Sequence, residues 1–184
     1  MNNDLLLHLL ENGLSADSRH WEYRLPISLS KSYCRVAMSY RTQDSSLSTL
    51  AAHGPHILLW TAATRAMYTI CRADGQVICR EPFDTAPHNA AAATETAARQ
   101  AVWIAGCVRN NWGANAATLH LVLNNRRGVD VGRLESYAFT VGLVLDLNVA
   151  PVRNPAVRLR ENGTYIDWRR AELGPLIQTS PPRL

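Results

Sequence analysis

The sequence predicts an α/β fold: a mixed five-stranded sheet with elements in the order βββαβαβ, flanked by helices and preceded by a helical or irregular leader. Three observations carry this. From His56 onward, short apolar runs are separated by turn residues; an alanine-rich stretch of helical length follows; strand, helix and strand patterns then alternate. A meander followed by alternation packs helices on a mixed sheet, with right-handed crossovers between parallel strands. At 184 residues and 47% hydrophobic, the chain supports one sizeable core with an appendage.

The leader, residues 1–55, holds a short apolar helix over Leu5–Leu10 ended by Asn12-Gly13. A segment over Ser15–Leu29 then opens with capping chemistry, and a serine-rich stretch runs to Thr49. Composition shifts at Gly54-Pro55, where the main domain, residues 56–157, begins. Ile57–Trp60 suits a buried strand, and Ala66–Arg72 a second. Ala73-Asp74-Gly75-Gln76 supplies a turn, and Val77–Arg80 makes the third strand. Pro82, Pro87 and Asn89 break the chain before a long helix over Ala90–Asn110, which Gly113 ends. Leu119–Leu123 returns as a strand, Val131–Val144 reads as a helix, and Asn148–Val152 is a fifth strand closed by Pro155. In the extension, residues 158–184, Gly163–Arg170 is a polar-aromatic strip and Pro175–Leu184 reads as a disordered tail.

No run approaches the roughly 18 apolar residues of a spanning helix, and Met1-Asn2-Asn3-Asp4 lacks a basic start, so a soluble, intracellular chain without membrane partners is expected. Cys34, Cys71, Cys79 and Cys107 form no CxxC pair, which argues for buried thiols rather than zinc or disulfides. Net charge is +4 and Lys31 is the only lysine among 19 basic residues. An arginine excess suits phosphate and base stacking, and equally reflects a GC-rich genome. His53, His56, His88 and His120 are scattered, and a Cys-His hydrolase would need Cys107 or Cys71 to meet one of them. Asp74, Asp84, Asp130 and Asp146 fall in expected turns or helix ends. Trp112, Trp168 and Tyr165, flanked by Arg109, Arg169 and Arg170, either stack on nucleic acid or close the core.

Four short motifs stand out in order: Thr61-Ala62-Ala63-Thr64, Thr94-Glu95-Thr96-Ala97-Ala98, Leu123-Asn124-Asn125, and Asn154-Pro155-Ala156-Val157. They resemble the ribonuclease H domains of reverse transcriptases of the retroelement and hepadnaviral type, over about residues 56–157. Those domains read T-D-A-S/T, an A/T-E-L-A-A helix, a strand ending in D-S or D-N, and N-P-A-D. The resemblance implies that Glu95 is the retained acid. Ala62, Asn124 and Val157 then stand where three catalytic aspartates would be, and all four positions should converge at one end of the central strands. That chemistry uses two magnesium ions held by hard carboxylate oxygens. Alanine and valine cannot ligate, so no metal and no cofactor are expected, magnesium being required only by an active enzyme.

The first functional expectation is a catalytically degenerate ribonuclease H-like domain of a reverse-transcriptase or retroelement-derived protein. Its partners would be RNA, an RNA–DNA hybrid, or other domains of a polymerase or ribonucleoprotein assembly. Arg126 and Arg127, beside the former metal site, and Arg169 and Arg170, in the extension, are the candidate phosphate contacts. The alternative is an active or deliberately inactivated metal-dependent ribonuclease H; Asp-to-Asn and Asp-to-Ala are replacements an experimenter would choose, whereas Val157 speaks for drift. A third reading is an unrelated α/β binding module with incidental charge.

Overall fold

The computed structural model describes residues 46–159 and 163–182. The expected helix over Leu5–Leu10, the segment Ser15–Leu29 and most of the serine-rich stretch lie outside the described residues. The compact unit containing the sheet is Thr42–Leu184. Residues 46–52 are helical and lead into the sheet, where Thr118 donates to Pro55 O.

The strands are β1 (His56–Ala63), β2 (Met67–Cys71), β3 (Val77–Pro82), β4 (Ala117–Leu123), β5 (Leu143–Val149) and β6 (Ile177–Gln178). The helices are α1 (Ala90–Asn111), α2 (Val131–Thr140) and the one-turn α3 (Pro155–Leu159). The sheet order is β3-β2-β1-β4-β5, with β6 added beside β1. β1, β2 and β3 pair antiparallel, whereas β1, β4 and β5 are parallel. The carboxyl ends of β1, β4 and β5 therefore share one edge.

Two expectations are corrected. The helix over Val131–Val144 ends at Thr140, and the fifth strand starts at Leu143 rather than Asn148. Gly142 sits at φ +72°, which an L side chain rarely adopts. The helix stops there, and Leu143-Val144-Leu145-Asp146-Leu147 follows with the alternation of a strand, whereas the expected helix runs through Val144 and leaves residues 145–147 between elements. Residues 174–178, expected in a disordered tail, instead form a 3-10 turn and the sixth strand. Leu176 is buried there and gives the tail an apolar anchor.

The two faces of the sheet are unlike. α1 begins at Asn89, whose side chain accepts from Ala92 N at 2.8 Å. Its Ala97, Ala101, Ile104, Ala105 and Val108, spaced for one helical face, are buried in the main core with Ile57, Leu59, Leu119 and Leu121. Small alanines let the helix lie close to the sheet, while each fully buried leucine or isoleucine contributes about 1.5–3 kcal/mol. α2 adds Leu134 and Ala138 to this core. Alternation turns Trp60 and Ala62 to the opposite face. There they join Cys71, Ala156, Val157 and Leu159 in a small second cluster beneath α3.

Candidate functional site

Three of the four motifs meet at the carboxyl end of β1 and β4. The parallel register pairs Thr61 with Leu123, so one further step sets Ala62 level with Asn124. The chain after β5 returns to this end through Asn154, a buried side chain. Its Nδ2 donates to Thr61 O at 2.9 Å, and its Oδ1 accepts from Ala156 N at 2.9 Å. One amide thus ties the Asn154-Pro155-Ala156-Val157 turn to the strand residue preceding Ala62. Ala156 and Val157 are thereby held against Ala62, which is 1% exposed.

Glu95 does not join this cluster. It lies on α1, in the layer on the other face of the sheet, and its Oε1 stands 3.5 Å from Arg133 Nη1 of α2. It does approach the same edge. Gly128, in the loop after β4, lies so close to Ala91 in the first turn of α1 that a Cβ there would come within 3.0 Å of the Ala91 Cβ. Ala62 and Val157 thus pack in one cluster, with Asn124 level with Ala62 on β4, whereas Glu95 is not on the same side of the sheet as Ala62 but in the other layer, beside Arg133.

No carboxylate stands at the three clustered positions. Asn124 Oδ1 is buried without a hydrogen-bond partner, as is the hydroxyl of Thr69, which is level with Ala62 on β2. Among the described residues, no three histidines, cysteines or carboxylates are arranged to hold a metal ion.

Around this apolar spot the edge carries arginines. Arg65 follows β1, Arg126 and Arg127 follow β4, and Arg153 follows β5; all four are exposed. Arg127 N donates to Asn125 Oδ1 at 2.9 Å, an Asx turn that fixes the loop presenting the first pair. The acids at this edge are partly engaged: Glu81 accepts from the Tyr68 hydroxyl, Asp130 caps α2, and Glu95 meets Arg133. Asp84, on the loop after β3, is exposed.

Arg169 and Arg170 are placed elsewhere. They form a 3-10 turn beside β3, where the backbone of Ile166 bridges to Arg80. Arg169 lies 3.4 Å from Asp167 and its guanidinium sits 5.1 Å from the centre of the Trp168 ring. It also acts on Cys107, near the far end of α1. Trp168 packs partly against the core, whereas Trp112 and Tyr165 are exposed. The two arginine pairs therefore do not make one surface.

The thiols are poor nucleophiles. Burial pushes the Cys71 thiol up to about 12 and shifts Cys79 and Cys107 upward as well, which disfavours the reactive thiolate.

The polar constellation that sequence reading missed is on the same face as Ala62, nearer the other end of the strands. His56 Nδ1 and His120 Nε2 are 3.0 Å apart, and His120 Nδ1 is 2.7 Å from Asp146 Oδ2. Parallel pairing explains the chain: His120 is level with Asp146, and His56 is level with Thr118, one side-chain repeat away. Asp146 had been assigned to a helix end. Once Leu143–Val149 is a strand, its alternation sets Asp146 on this face. Comparison with protein-family models, with curated proteins and with solved structures gives no match for this chain.

Proposed function

We propose that the chain is a ribonuclease H-like domain that has lost its metal site and holds nucleic acid through arginine–phosphate contacts, within an assembly derived from a reverse-transcribing element. The observation that carries the reading is the Asn154 tether. It holds the segment resembling N-P-A-D against β1, with Ala156 and Val157 packed in one cluster with Ala62, and this supports reading Ala62, Asn124 and Val157 as the positions of lost aspartates. The order βββαβαβ and the antiparallel-then-parallel sheet support the same reading.

Physical chemistry argues against hydrolysis. Two divalent ions about 4 Å apart require several anionic oxygens. Here an alanine and a valine fill the space with methyl groups, and Asn124 offers a neutral carbonyl. Glu95 faces Arg133 rather than the cluster. What the edge offers a phosphate is arginine: Arg65, Arg126, Arg127 and Arg153 stand exposed on the loops after three parallel strands, while Glu81, Asp130 and Glu95 are engaged by their own partners. Crevices outside the carboxyl ends of strands are where open α/β sheets place ligands.

The test is a titration of a labelled RNA–DNA hybrid and a duplex RNA against the full chain across salt concentrations, with magnesium or manganese present. Saturable binding that weakens steeply with salt, without cleavage, is the expected result. Metal-dependent cleavage abolished by Glu95→Gln would replace this reading with the active enzyme. No saturable binding at low salt would move the assignment to an assembly role in which the fold is a scaffold for protein partners.

A further inference from the structure

The Asp146–His120–His56 chain crosses β5, β4 and β1 on one face, and hydrogen-bond arithmetic fixes its direction. Asp146 Oδ2, as a carboxylate, only accepts, so His120 carries its proton on Nδ1 and presents a lone pair at Nε2. His56 must then donate from Nδ1 into that lone pair across 3.0 Å. Its own Nε2 is left as the acceptor at the end of the chain. His120 is buried, His56 half-buried and Asp146 exposed.

The first proton added to the pair enters at His56 Nε2 and breaks no bond, because one proton is kept between His56 Nδ1 and His120 Nε2 and the two rings share the charge. A second proton has only His120 Nε2 to occupy. There it meets the N–H of His56, so the bond is lost and two cations face each other with ring centres 5.2 Å apart. His56 is also where the sheet receives two other segments: it follows the helical residues 46–52, and it pairs through its backbone with Gln178 of β6. We propose that His56, His120 and Asp146 form an acid-operated latch, which stays closed with one added proton and opens with the second, freeing the start of β1 and its partner β6.

Among the described residues, these groups bear on His56. On its face stand His120, Leu58, Thr118 and Val144, with Gln178 opposite on β6. Only His120 among these titrates. Arg72 and Asp74, which with Leu58 and Gln178 line a small cleft, neutralise each other at 2.9 Å. His53 is exposed in the preceding turn.

Nitrogen-15 NMR of the full chain across pH tests this. Above neutrality, His120 is expected as the Nδ1–H tautomer and His56 with its lone pair on Nε2. On acidification, the first proton should leave the Ile57 and Gln178 amide signals unmoved; those signals should shift, and their exchange protection drop, only with the second. His56→Asn supplies the control. Asparagine can donate to a neutral His120 or flip to accept from a protonated one, so the single protonation left to the variant's pair should not disturb Ile57 and Gln178. Independent, simultaneous titration of both rings, or an Nε2–H tautomer at His120, would overturn the proposal. So would Ile57 and Gln178 responding equally in the wild type and in His56→Asn.

Discussion

The two ends of one sheet face have been treated oppositely. At the carboxyl end, around Ala62, the positions that the motifs mark for charge are held by alanine and valine and are closed by packing. Toward the amino end, His56, His120 and Asp146 keep ionisable groups, each satisfied by the next. A buried charge persists only where partners or a metal compensate it. The difference teaches that the carboxyl end is closed by apolar packing around Ala62, whereas the other end offsets its polarity with a complete hydrogen-bond chain.

The largest effect should come from placing a charge inside the apolar packing. Ala62→Asp buries a carboxylate among Trp60, Cys71, Ala156 and Val157. Arg80, two strands away at the same level, is directed under Gly163 instead. Urea unfolding should report a loss of about 3 kcal/mol or more. An unchanged midpoint would mean that the end is still open to water, and magnesium-dependent restabilisation would mean that a metal site survives. Next in size is Asn154→Ala, which strands the buried Thr61 carbonyl and the Ala156 amide. About 2 kcal/mol should be lost in the same measurement. A near-zero value would detach the Asn154 turn from the argument.

A smaller effect is expected at the histidine end. Burial, and then the neighbouring His120, lower the protonation of His56 below its ordinary 6.5. The unfolded chain therefore takes up that proton first. The contribution is fully present above pH 6.5, declines as pH falls through 6.5 toward the folded value, and levels off below it. Denaturation at pH 7.5 and 5.5 should show a decrease that shrinks in His56→Asn. A stability that rises on acidification in this range would reverse the assignment.

How far each end was legible in the sequence follows the same division. Ala62, Asn124 and the Asn154 turn were found because each motif is contiguous and sits at a strand end. The histidine chain is dispersed over residues 56, 120 and 146, so only sheet register brings it together, and the expected fifth strand, Asn148–Val152, leaves Asp146 out. Glu95 shows the remaining limit. Its helix is marked by the alanine run, but the layer follows from which sheet face that helix buries, and the partner, Arg133, comes from a separate helix. Gly142 was the available signal for the strand boundary, since a glycine followed by strict alternation marks a stop and a restart.

The smallest effect on stability, and the sharpest on function, belongs to the arginine edge. Arg126 and Arg127 are exposed on a loop held by the Asn125 side chain, so replacing either with alanine should leave the unfolding midpoint unchanged within about 0.5 kcal/mol. Each phosphate contact on a duplex adds roughly −0.9 to the slope of log affinity against log salt. Removing both arginines should therefore flatten that slope by nearly two units for the hybrid and for duplex RNA alike, because phosphate contacts carry no sequence information. Arg169→Ala, made at the other end of α1, should leave the slope as it is. Should Arg169→Ala flatten it while the double variant does not, the binding surface lies beside β3 and the carboxyl edge is a packing feature alone.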